Sequence, residues 1–356
     1  MPRVISVLTL IFLLSVTFTL WQQRRRARAE EFAQLLSSIE ETLGEAEDLI
    51  GLSDDRAKEL WGEAKEALEK AEALSPKSKL LASLSQQADK LLNRIEKIAL
   101  VTEDHLFYDL ALQPFDSAQD GQGGQVEAEA LSIVGRSGCV YVAEGKLGAT
   151  LAISQKKPPQ VEEATANEVK GARKLAVGGD FLYLLTDKKF YRYSLKTGKA
   201  DNPLTFNQLN KVAAVDLYLG SNIYFLVPED NQIYRFYDLG GSYSGASSWL
   251  REALPLGKAV DMAIDGSIWV LTKGGVINTM AGKREPFSLK NLPLAFTDPV
   301  AIYTRPGFKK IYVADGRRAL VFDKNGRFKK QFKGEALGDL VDLWVTDNEK
   351  TLFLLT

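Results

Sequence analysis

The sequence predicts a mainly β protein with an α-helical N-terminal part: a six-bladed β-propeller preceded by a membrane helix and a helical hairpin or stalk. Three observations predict it. A strand phrase recurs every 41 to 45 residues from about residue 129 onward. An uncharged apolar run fills residues 4–21. Between the two, apolar residues return at helical spacing. The expected boundaries are a short flank at 1–3, an anchor at 4–21, a helical segment at 22–101 and the propeller at 102–356.

The repeat is an apolar strand, a short turn, and a second strand of apolar-aromatic-apolar type. The second strands read CVYVAEG (139–145), FLYLLTD (181–187), NIYFLVP (222–228), SIWVLTK (267–273), KIYVADG (310–316) and TLFLLT (351–356). Val140, Leu182, Ile223, Ile268, Ile311 and Leu352 hold one position in all six. A fixed period of this length built from short strands means one propeller blade per repeat. Blade strands are buried on both faces by their neighbours, so they read as apolar runs. Further strands are expected at KFYRYSL (189–195) and VINTM (276–280), and outer strands at LTF (204–206) and EPFSL (285–289). Asp180, Asp265 and Asp323 lie in the expected hairpin turns, and Asp-Gly between strands is a hairpin signal. Their recurrence assigns them to turn chemistry.

The last repeat stops at TLFLLT, two strands short of a four-stranded blade. HLFYDLAL (105–112) is strand-like and can close the ring from the N-terminal side, which still leaves that blade one strand short. The Gly- and Gln-rich stretch 116–125 is expected to be a flexible insertion.

The N-terminal run spans 18 residues, about 27 Å as a helix, just enough to cross a bilayer core. Its five Ser and Thr hydroxyls can bond back to helix carbonyls. Trp21 stands where an interfacial aromatic belongs. Arg24, Arg25 and Arg26 follow, unlike a cleavable signal, so a single-pass anchor in the lipid bilayer is expected. The arginines favour a cytoplasmic C-terminal part by the positive-inside rule. A propeller behind an anchor is more often exported, so the side stays open.

Phe32, Leu36, Ile39, Leu43, Ala46 and Ile50 form a heptad-like, coiled-coil-type stripe. Gly51 stops that helix. Ser53 can cap a second, with Trp61, Ala64, Leu68 and Ala71 on one side. Ser75-Pro76 is expected to start a third, carrying Leu81, Leu84, Ala88, Leu91, Ile95 and Ile98. Residues 30–75 hold fourteen Asp and Glu against four Lys and Arg, expected as a solvated face.

The fifth repeat, KKIYVADGRRALVFDKNGRFKKQF (309–332), resembles the NHL repeat. Val313-Ala314-Asp315 and Val321-Phe322-Asp323-Lys324-Asn325-Gly326 carry the likeness; Arg317-Arg318 replace the usual Asn after the aspartate. The resemblance implies a six-bladed propeller used as a binding platform. The layout also resembles the C-terminal half of bacterial membrane proteins in which a phosphatase domain of the protein-phosphatase-2C type precedes the membrane helix. That phosphatase domain is absent here, and the likeness would place the propeller outside the cytoplasm.

Chemistry is bounded by composition. The 356 residues are 45% hydrophobic and 26% charged, with net charge −1. No bulk field draws the chain to nucleic acid. Single Cys139 excludes an internal disulfide, and single His105 excludes most zinc and Ser-His-Asp chemistry. No phosphate loop, HExxH or GxSxG occurs. No catalytic, cofactor or metal residue is expected. Residues 304–334 hold ten Lys and Arg against two Asp. Within them Arg317, Arg318, Arg327, Lys329, Lys330 and Lys333 form a candidate patch for an anionic partner, with RFKKQFK (327–333) as an outer strand. The expected function is a membrane-anchored, non-enzymatic propeller that binds a protein or polymer on one face. The alternatives are a channel-centred metal-dependent hydrolase and the sensor half of a split phosphatase-type signalling protein.

Overall fold

The computed structural model describes residues 2–110, 128–136, 138–146, 148–165 and 169–356, with side chains from Ser15 onward. The chain divides into two units, residues 1–98 and 99–356.

The first unit is three helices, α1 (Pro2–Asp48), α2 (Asp54–Leu74) and α3 (Lys79–Ile95). The stripes do pack together. Ile39, Leu43 and Ala46 meet Ala57, Leu60, Ala64, Leu68 and Ala71 of α2, and Leu81, Leu84, Ala88, Leu91 and Ile95 of α3. Trp61 donates its indole N–H to the Ala88 carbonyl at 2.8 Å. Gly51 turns the chain with φ +82°, and Asp54 accepts its N–H at 2.8 Å. Ser75-Pro76 does not start α3. Ser75 is the C-cap of α2, and Ser78 caps α3 by accepting the Leu81 N–H at 3.3 Å. Among the described residues no helix is long and apolar enough to cross a membrane. The expected span at 4–21 falls mostly on residues 4–14, whose side chains lie outside the description.

The second unit is a β-propeller of antiparallel meanders. The first blade is β2 (Ala130–Arg136), β3 (Cys139–Glu144), β4 (Thr150–Ser154) and β5 (Val161–Glu163). The second is β6 (Lys174–Gly178), β7 (Phe181–Leu185), β8 (Phe190–Ser194) and β9 (Ala200–Asp201). The third is β10 (Ala214–Tyr218), β11 (Asn222–Val227), β12 (Gln232–Phe236) and β13 (Ser247–Ser248). The fourth is β14 (Ala259–Ile264), β15 (Ile268–Thr272), β16 (Gly275–Met280) and β17 (Lys283–Glu285). The fifth is β18 (Pro299–Tyr303), β19 (Lys310–Asp315), β20 (Arg318–Asp323) and β21 (Phe328–Lys333). The outer strands β9 and β17 lie a few residues before the segments expected for them, because each follows its partner through a tight turn.

The expected count of six blades is corrected. Among the described residues five blades have four strands of their own, and the sixth repeat forms a two-stranded sheet, β22 (Asp342–Val345) with β23 (Leu352–Leu355). Strand β22 packs between β2 and β18, so the last repeat joins the fifth blade to the first. Its outer half is filled differently. The strand β1 (Ile98–Leu100), where the chain passes into the second unit, adds to the outside of β21 as a fifth strand. The next residue, Val101, packs into the core between the fifth blade and the last sheet. His105 closes a 3₁₀ turn, and Phe107, Tyr108 and Leu110 then pack on the core between the last sheet and the first blade. Residues 106–110 form no strand, which corrects the expectation for HLFYDLAL. Their apolar side chains are used for packing, not pairing. The insertion expected at 116–125 lies outside the described residues.

Cores lie between neighbouring blades. Between the second and third, Phe190, Phe225 and Phe236 stack edge-on with ring centroids 5.1 Å apart in each pair. At the closing joint, the Trp344 ring lies over Gly135, where a Cβ would come within 2.5 Å of it. Only glycine admits that approach.

Candidate functional site

The axis is built from inner strands. Three of them carry the same phrase: Val215-Asp216-Leu217, Val260-Asp261-Met262 and Val341-Asp342-Leu343. Each aspartate reaches the inner strand of the next sheet. Asp216 accepts the Ile264 N–H at 2.8 Å and its own neighbour Leu217 N–H at 2.7 Å. Asp261 accepts the Ile302 N–H at 2.8 Å. Asp342 accepts the Ile133 N–H and the Ser132 hydroxyl, both at 2.9 Å, and the Leu343 N–H at 2.8 Å. Ser132 in turn accepts the Leu175 N–H at 3.2 Å, which carries the bonding from the last sheet through the first blade to the second.

These carboxylates keep some solvent contact although protein surrounds them. Burial pushes Asp216 up to about 7. Burial also raises Asp261 to about 7, against the pull of the Lys174 ammonium and with the push of Asp342. Asp342 is raised by burial as well, again opposed by Lys174. The same bond repeated from joint to joint is architecture: each carboxylate ties one inner strand to the next. Among the described residues no group of three or more His, Cys, Asp or Glu is placed to hold a metal ion.

The basic patch is partly dismantled. Arg318 is only 4% exposed and bonds Asp315 at 2.6 and 2.9 Å. Arg318 also donates to the Leu294 and Ala295 carbonyls, while Asp315 accepts the Thr297 and Asp298 N–H groups. This pair pins a loop and offers nothing to a partner. Arg317, Arg327, Lys329 and Lys330 are exposed, and Lys333 is half-buried. β21 is not the outer edge, because β1 pairs beyond it.

His105 is exposed in its turn, with Nδ1 3.0 Å from the Thr102 hydroxyl, and does not start a strand. Cys139 opens β3 half-buried, its thiol raised chiefly by burial. Asp323 accepts the Asn325 and Arg327 N–H groups, the turn role expected of it.

In a meander the first and third turns fall at one end of every blade, so they share a face of the ring. On that face the two halves differ. In the fifth blade and the last sheet, and at the first turn of the fourth blade, polar groups satisfy each other, while Met280 at the fourth blade's third turn is 51% exposed. Lys324 binds Asp265 and the Thr304 hydroxyl beneath the Trp269 ring, Arg305 pairs with Asp347, and Tyr312 donates to Glu349. On the third blade the loops carry exposed apolar side chains among polar ones such as Asp238. Leu219 is 76% exposed and Leu239 64%, with Tyr237 beside them in sequence. Their two loops are joined by the Asp238 N–H donating to Asn222 at 3.1 Å. The loop after β12 also leans on the second blade. Arg192 reaches the Gly241 carbonyl at 3.4 Å, and the Tyr183 and Tyr243 hydroxyls lie 3.3 Å apart. Its sequence, YDLGGSYSG (237–245), carries no periodicity, so nothing but the isolated Leu239 in a Gly-Ser-rich loop announces it.

No protein-family model matches this chain, and no curated protein is similar to it in sequence. Among solved structures it is similar to a chain of the nidogen/laminin complex, at 11% identity and TM-score 0.49, covering 60% of this chain and 84% of that one. It is similar to virginiamycin B lyase from Staphylococcus aureus, at 14% identity and TM-score 0.44, covering 64% and 77%. It is also similar to a gluconolactonase from Xanthomonas campestris, at 12% identity and TM-score 0.45, covering 61% and 78%. Likeness this distant carries no statement about ligand or activity.

Proposed function

We propose that the protein is a membrane-anchored β-propeller binding module, held in the bilayer by residues 4–21, that engages a protein or polymer partner without catalysis. The observation that carries this reading is the apolar loop face of the third blade, where Leu219, Tyr237 and Leu239 stand in solvent on adjoining loops. Exposed leucines and a tyrosine grouped on one surface are the composition of a contact site. The axial carboxylates support it too. Their oxygens are taken by backbone N–H groups, so the axis is spent on holding the ring. A channel-centred hydrolase would need such groups free to meet substrate.

The test places a photo-crosslinking residue at Leu239, and separately at Leu294, which is 49% exposed in the loop before β18. The full chain is irradiated in intact membranes. Discrete adducts are expected at 239 and not at 294, and L219E should remove them. Equal yields at both positions, or none at 239, would overturn the reading.

A further inference from the structure

We infer that the outer surface of the fifth blade is a docking track for a linear anionic glycopolymer, an inference that rests on reading the propeller as a binding module. Two features build the track, and neither is local in sequence. The first is a β-bulge. Val321 pairs with Lys330 but Phe322 pairs with Phe328, so Lys329 is the extra residue. Regular alternation would point Lys329 and Lys330 to opposite faces. The bulge lets both stay exposed. The second is Lys290, brought from the connection after the fourth blade. Its N–H donates to the Gly326 carbonyl at 2.8 Å and its carbonyl accepts the Phe328 N–H at 3.0 Å, which sets it beside Arg327 in a parallel bridge.

The cations therefore gather along β21, Lys290 and Arg327 at one end and Lys329 and Lys330 in the middle, while Lys333, three regularly paired residues beyond Lys330, alternates to the other face. Six strand residues span about 20 Å. Lys329 has Asp323 at 3.0 Å. Among the described residues the other four cations have no carboxylate partner, and Lys330 lies 4.5 Å over the Phe332 ring. One paired carboxylate against the four cations Lys290, Arg327, Lys329 and Lys330 leaves this face positive, and its complement is a chain of closely spaced anions. A row along one strand fits a flexible linear polymer better than the plane of a bilayer. The ring of Phe332 is capped by Lys330 on one side and packs against the core between the fifth blade and the last sheet, so it offers no open face on which a nucleobase could stack.

The test uses the full chain in detergent and heparin as the probe. Wild type should bind heparin at about 50 mM salt and lose affinity steeply as salt rises, because bound polymer counterions are released. K329E/K330E should weaken binding by about tenfold or more, and K290E, a residue outside the basic sequence cluster, by about threefold, since one cation of four is reversed. K77E, on the helical unit, should change nothing. No heparin binding at low salt, or K290E behaving like K77E, would overturn the track. Tighter binding to single-stranded RNA or to phosphatidylglycerol vesicles than to heparin would overturn the polymer class. Crosslinking at Leu239 is a separate readout: its failure with heparin binding intact would sink the apolar-face reading and leave the track standing.

Discussion

The joint between the second and third blades and the joint that closes the ring do the same task with different means. The first is a dry aromatic stack of Phe190, Phe225 and Phe236, flanked by complete four-stranded sheets. Among the described residues the second has β22 and β23. There the seal comes from Trp344 over Gly135, from Asp342 on Ser132 and Ile133, and from Phe107 meeting Phe353 at 5.0 Å. The lesson is that ring closure needs buried area and satisfied backbone, not a full set of strands.

Two substitutions probe that contrast, and a third tests an axial staple between the third and fourth blades. The largest effect is expected at the complete joint. F225A removes a fully buried ring and should cost roughly 3–5 kcal/mol in urea unfolding, with the propeller still melting in one transition. A loss below that of any surface change would show the stack is not what holds the joint.

F107A should cost less, about 1–2 kcal/mol, since its ring is partly buried and makes one edge-on pair. Its signature is location. Amide exchange should speed up in β22, β23 and residues 99–110 while β10 and β11 keep their protection. Uniform loss of protection would mean the two joints open together.

The third test is a pH dependence. Asp216 is neutral in folded and unfolded chains below about pH 4. Burial raises it to about 7 in the folded chain, so stability from this group is present at low pH and is lost as pH rises through that value. D216N removes the titration. The urea midpoint of D216N relative to wild type should therefore move in the variant's favour between pH 5 and pH 8. A difference that stays constant over that range would mean Asp216 is ionised throughout.

The helical stripes were legible because a buried helix face repeats its apolar positions: Ile39, Leu43 and Ala46 pack as spaced. The blades were legible for the same reason, with Val140, Leu182, Ile223, Ile268 and Ile311 all buried. The axial staples stood in plain view as three Val-Asp-Leu/Met phrases, but an aspartate in an apolar strand reads as a solvent-facing residue until its partner strand is known. Arg317 and Arg318 are adjacent and chemically alike, and only strand parity sends one out and one in. Lys290 and the bulge at Lys329 had no signal at all, since a bridge between distant segments and one extra strand residue leave the local pattern unchanged. The sixth blade misled because repeat counting measures inner strands, and only those are complete.

Phe107 meets Phe353 across nearly the whole length of the second unit. During synthesis the first blade therefore leaves the ribosome with its Val140 and Ile153 side uncovered, and must wait for β22 and β23, which follow the four intervening blades in the chain, before that side is sealed. A pause in translation anywhere in the later blades prolongs this exposed interval, so the chain's demand on chaperones should follow elongation speed more than final stability.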